Sequence, residues 1–79
     1  MTINEMKETA LNKVLEAYLD ASRALRKGQL ADSERYHRLA FTMAEAYQEI
    51  GLMSCSDSLH LEIKAEKQAI KEWREGRLQ

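Results

Sequence analysis

Proline is absent from this 79-residue chain, and glycine occurs only at Gly28, Gly51 and Gly76. Nothing therefore removes a backbone donor from a helix interior, and the three glycines fall between amphipathic stretches, where a helix C-terminus takes a left-handed residue. They divide the chain into three segments of helix length. Cysteine occurs once, at Cys55, which excludes an internal disulfide framework and fits a reducing cytoplasm. No apolar run approaches the roughly 20 residues of a membrane span, and the opening Met1-Thr2-Ile3-Asn4-Glu5 has neither the basic nor the apolar region of a secretory leader. The sequence thus predicts a soluble, cytoplasmic protein. A dominant sign of charge is also missing. Twelve basic and thirteen acidic residues give a net charge of −1, a balance that points neither to nucleic acid nor to an anionic membrane.

A chain of this length is expected to form one domain over residues 1–79, and such a domain buries only roughly 60 per cent of the surface its unfolded chain exposes. Its core must be thin. A second subunit or an obligate partner would supply further burial, so a homodimer is the expected assembly.

Thr2-x-x-Glu5 is a capping box, with Met1 and Met6 placed as a hydrophobic staple, so helix 1 is predicted over about 3–27. Leu11, Val14, Tyr18, Ala21 and Leu25 recur at steps of three and four, widened by Leu15 and Ser22. Asp32 is the natural N-cap of helix 2, about 32–50, whose apolar positions are Tyr36, Ala40, Met43, Tyr47 and Ile50, with Leu39 and Ala46 beside them. Ser56 or Asp57 then caps helix 3, about 57–75, which carries Leu59, Ile63, Ile70 and Trp73 on one face. Glu66 interrupts that face, and Leu61, Ala65 and Gln68 point elsewhere. Connections of four to five residues imply antiparallel neighbours. The predicted fold is all-α, a three-helix antiparallel bundle made of a helical hairpin plus a third helix, open to completion by dimerisation.

Antiparallel packing gathers Arg23, Arg26, Lys27, Arg35, Arg38, Lys71, Arg74 and Arg77 at one end, with Asp20, Asp32, Glu34, Glu72 and Glu75. The other end holds Glu5, Glu8, Glu45, Glu49, Asp57 and Glu62 against Lys7. The molecule is therefore expected to be polarised, at about +3 and about −5. These charges either complete helix dipoles and i,i+4 pairs such as Glu34 with Arg38, or serve as docking surfaces. A nucleic-acid reading would use the basic end in a helix-turn-helix arrangement, but helix 2 begins Asp32-Ser33-Glu34 and those acids would meet phosphate.

Chemistry-bearing motifs are sparse. Glu34-x-x-His37 has the i,i+3 spacing of one half of a di-iron carboxylate site, but the second half and its extra carboxylates are missing. Cys55-x4-His60 lacks the remaining ligands of a structural zinc site. As a thiol and base it lacks an orienting residue and a glycine-rich oxyanion loop. No enzyme activity, no metal and no cofactor are expected. Trp73, between Lys71-Glu72 and Arg74-Glu75, is either a core lid folded over Leu25 or the Leu30 turn, or an exposed or intersubunit anchor extended by Ile63 and Ile70.

Arg26-Lys27-Gly28-Gln29-Leu30, together with Tyr36 and Ala40, resembles the turn and second helix of a tetratricopeptide hairpin over about 20 residues. Asp20 and Ser33 depart from that repeat's apolar residue and alanine, and no proline closes the unit. The resemblance implies a closely packed antiparallel hairpin and no particular ligand. The functional expectation is a small helical protein that binds another protein, as an inhibitor, adaptor or anti-regulator of the kind phages often encode. The residues expected to carry binding are Ile63, Ile70, Trp73, Arg74 and Arg77, with Arg23, Arg26, Lys27, Arg35 and Arg38 at the basic end. The alternative is a small DNA-binding transcriptional regulator that uses that basic end.

Overall fold

The computed structural model describes residues 1–77 and contains three helices, α1 (Ile3–Arg26), α2 (Leu30–Glu49) and α3 (Cys55–Arg74). Thr2 and Glu5 form the expected capping box, each side chain bonded to the other's backbone N–H. Met1 stays exposed, so the expected staple does not bury it. At the C-terminus the Gly28 N–H donates to the Leu25 carbonyl at 3.1 Å and the Gln29 N–H to the Ala24 carbonyl at 2.9 Å. This pair of bonds defines a Schellman motif and requires a left-handed residue; Gly28 has φ of 76°. The same two bonds close α2 at Gly51 and α3 at Gly76.

Two helix starts differ from expectation. α2 begins at Leu30 with Gln29 in the cap position and no side-chain cap, because the chain leaves the Gly28 turn directly into helical register. Asp32 lies inside the first turn and accepts from Arg35 at 2.7 Å. α3 starts at Cys55, capped by Ser54, whose side chain accepts from the Asp57 N–H at 3.0 Å while Asp57 accepts from the Ser54 N–H at 3.0 Å. The hydrogen bond from the Ser54 backbone N–H to the Asp57 carboxylate, with the Ser54 hydroxyl second, holds the Asp57 carboxyl below its ordinary range. Ser54 and Asp57 satisfy each other reciprocally, and Ser56 and Asp57 therefore fall within the first turn.

α1 is the spine of a three-helix bundle. It packs against both α2 and α3, which barely touch one another. Contacts of Arg23 and Arg26 with Glu72 and Glu66 at one end, and the proximity of Lys7 to Asp57 at the other, set α3 parallel to α1, with α2 antiparallel to both. The molecule measures 38 × 23 × 21 Å, its length set by the 24 residues of α1 at about 1.5 Å per residue.

The interior is built of small side chains. Ala10, Ala17, Ala21 and Ala24 of α1, Ala40 and Ala44 of α2 and Ala65 and Ala69 of α3 are buried, and among the described residues only Val14, Tyr18 and Met53 add larger buried apolar groups. Alanine lets helix axes approach closely, which pushes longer side chains to the flanks of each contact. Leu11, Leu15, Leu19, Met43, Tyr47 and Leu61 accordingly pack half-buried around the alanine seam. Leu25, Leu39 and Ile50, expected inside, are exposed for the same reason. Ser33 donates its hydroxyl to the Ala21 carbonyl at 2.8 Å, fastening α2 to α1. No described helix is long and apolar enough to cross a membrane.

Candidate functional site

α3 turns a different face inward from the one its most hydrophobic residues suggest. Leu61, Ala65, Ala69 and Glu72 face α1, whereas Leu59, Ile63 and Trp73 are 57, 44 and 55 per cent exposed. Ile70 is half-buried beside them. Leu59, Ile63, Ile70 and Trp73 lie within about 80° of one another around the helix axis. They form a discontinuous apolar strip, crossed by Glu66. Trp73 is more than half exposed, and Leu25 is exposed as well, so Trp73 does not bury Leu25 as a lid. Across an open cleft Phe41 of α2 is also 58 per cent exposed, and the cleft, about 260 Å³, has Tyr18 at its base and Leu59 and Cys55 on its wall.

Most of the basic end is internally neutralised. Arg23 makes a bidentate pair with Glu72, Nε to Oε1 at 2.8 Å and a terminal nitrogen to Oε2 at 2.9 Å. Gln68 donates to the same Glu72 carboxylate at 2.9 Å. These donors, Arg23 first, draw the Glu72 carboxyl down to about 2 despite its burial. The same bond raises the Arg23 guanidinium above its ordinary value. Arg26 reaches Glu66 at 3.5 Å, Arg35 pairs with Asp32 at 2.7 Å, Arg38 with Glu34 at 2.9 Å and Arg77 with Glu75 at 2.7 Å. Arg35 also lies 5.8 Å from the centre of the Tyr36 ring. Of the ten residues expected to carry binding, Lys27 and Arg74 are the cations without an ion-pair partner among the described residues.

The chemistry-bearing motifs do not converge. Glu34 turns to Arg38, while His37 packs edge-on against Tyr18, with ring centres 5.6 Å apart, and reaches Glu62 of α3 at 3.3 Å. Cys55 and His60 lie about 140° apart around α3; Cys55 lines the α2/α3 cleft and His60 the opposite flank. No group of three potential metal ligands comes together among the described residues.

That opposite flank holds a feature that the sequence alone does not reveal. Between α1 and α3 runs a solvent-open groove of about 670 Å³. Half-buried Leu15 and Leu19 and the edge of Ile63 supply its apolar floor, and Lys64, Lys67 and Lys71 supply its rim. The three lysines, at i, i+3 and i+7, were a visible signal, but only the packing of α3 reveals that apolar side chains of α1 lie beside them. Comparison with protein-family models, with curated proteins and with solved structures returns no match for this chain.

Proposed function

We propose that this is a non-catalytic, cytoplasmic binding module that docks another protein, or a second copy of itself, on the outer face of α3. One observation carries the reading: alanines fill the interior, while Leu59, Ile63 and Trp73 remain in water on a single helix. Exposed tryptophan flanked by aliphatic side chains is the composition of a binding hot spot, and burying it stabilises a complex without loosening the fold. Arg74, exposed at the end of the strip and without an ion-pair partner among the described residues, would steer an acidic rim of the partner. The mechanism is occlusion, in which the strip covers a functional surface of its target, consistent with an inhibitor, adaptor or anti-regulator.

The test is affinity capture from a cell lysate with the wild-type chain and with the Ile70→Ala/Trp73→Ala variant, alongside sedimentation equilibrium of both proteins. A polypeptide retained by the wild type and lost by the variant, this chain included, is the expected result. Equal retention by both, with equal self-association, would sink the proposal. The rival reading, a DNA-binding regulator, has less support because phosphate would have to displace carboxylates already held by Arg26, Arg35 and Arg38. Its signature is a steep fall of affinity with salt, about 0.9 in log K per log salt for each phosphate contact.

A further inference from the structure

The groove between α1 and α3 is distinct from the strip that carries Trp73 and shares only Ile63 with it. α2 occupies the other flank of α1, so no helix among the described residues covers Leu15 and Leu19 on the groove side. Beyond its first turn, α3 segregates its charges around its axis. Glu62, Glu66 and Glu72 engage His37, Arg26 and Arg23, whereas Lys64, Lys67 and Lys71 have no ion-pair partner among the described residues and no carboxylate lines the groove. Like charges one turn apart repel, and among the described residues no carboxylate forms an ion pair with these lysines. A net charge of −1 means that this row does not follow from a generally basic chain.

We propose that the α1/α3 groove binds an acidic amphipathic helix of a partner protein, its apolar face on Leu15, Leu19 and Ile63 and its carboxylates on Lys64, Lys67 and Lys71. The dimensions fit. Lys64 to Lys71 spans about 10 Å, two turns of an opposed helix, and the aliphatic stems of the lysines extend the apolar wall while their ammonium groups remain in water. A docked helix with apolar residues at i, i+3, i+4 and i+7 and glutamates on the flank nearest α3 would satisfy both rows at once. A nucleic-acid strand would use the lysines and leave the leucines without a partner, which is why charge and apolarity together select a peptide.

The probe is a displayed library of 15-residue helical peptides with leucine at the apolar positions and Glu, Gln or Lys randomised at the flanks, selected against the full chain. Selection is expected to enrich Glu on one flank. The best peptide, resynthesised with a fluorescent label, is expected to lose at least tenfold in affinity on Lys64→Glu/Lys67→Glu/Lys71→Glu and to change less than twofold on Ile70→Ala/Trp73→Ala. Exposed lysines make the triple variant a folded protein, checked by its circular dichroism. An absence of enriched peptides, no flank preference, or enrichment of Lys would overturn the assignment, as would tighter binding of a poly-dT oligonucleotide or of laurate than of the peptide. Peptide binding abolished by the Trp73 variant and untouched by the lysine variant would remove the groove and leave the α3 strip as the binding surface.

Discussion

Glu72 is the most consequential polar residue in the fold, and its removal gives a quantitative test of how α3 is held. Its carboxylate accepts two hydrogen bonds from Arg23 and one from Gln68, and it is held at about 2 against an ordinary 4.5. At about 1.4 kcal/mol per tenfold change in proton affinity that depression corresponds to roughly 3 kcal/mol. The Arg23 side chain is 36 per cent exposed, so solvent screening reduces the figure to about 1.5 kcal/mol. A depressed carboxyl stabilises the folded state fully above its unfolded value and loses that contribution as the pH falls from about 4.5 towards 2. Glu72→Gln leaves a partly buried guanidinium without its counter-charge and should cost about 1.5 to 3 kcal/mol at pH 7. For a domain of this size the melting temperature should fall by on the order of 10 °C. Urea denaturation followed at 222 nm between pH 7 and 2.5 should show the gap between wild type and variant closing by about 1.5 kcal/mol. The paired change Arg23→Met/Glu72→Leu should cost less than Glu72→Gln alone, because it strands no charge. A gap that stayed constant across the acid range would refute the reasoning.

Two further outcomes follow from the packing and the caps. Ala40→Leu, at a fully buried position, should cost about 1 to 3 kcal/mol by forcing α2 off α1, whereas Ala46→Leu, which is exposed, should leave thermal denaturation nearly unchanged. Ser54→Ala should lower stability by about 1 kcal/mol while Ser56→Ala does not, and equal melting temperatures for the two variants would contradict the assignment of Ser54 as the cap of α3.

The number of helices and their order were legible in the sequence because local rules govern them. Thr2 and Glu5 bracket a helix start with groups three residues apart, and Gly28, Gly51 and Gly76 mark ends that need a left-handed residue, both readable without knowing any distant neighbour. The starts of α2 and α3 were each displaced by two residues or fewer, since several residues competed for one cap and only the geometry of the turn chose among them.

The inward face of α3 could not be read in this way. Ranking by hydrophobicity puts Ile63, Ile70 and Trp73 inside, yet close approach of helix axes rewards the smallest side chain, and Ala65 and Ala69 take the buried positions. Nor could the fate of the basic end be read, because Arg23 finds Glu72 across 49 residues of chain. Sequence by itself determined three amphipathic helices, each ended by a glycine, and an up-down-up order, through periodicity and turn chemistry acting over a few residues. Tertiary structure alone decided which arginines are neutralised, that Trp73 faces water, and that three lysines line an apolar groove, because each depends on the rotation of one helix about its axis against another.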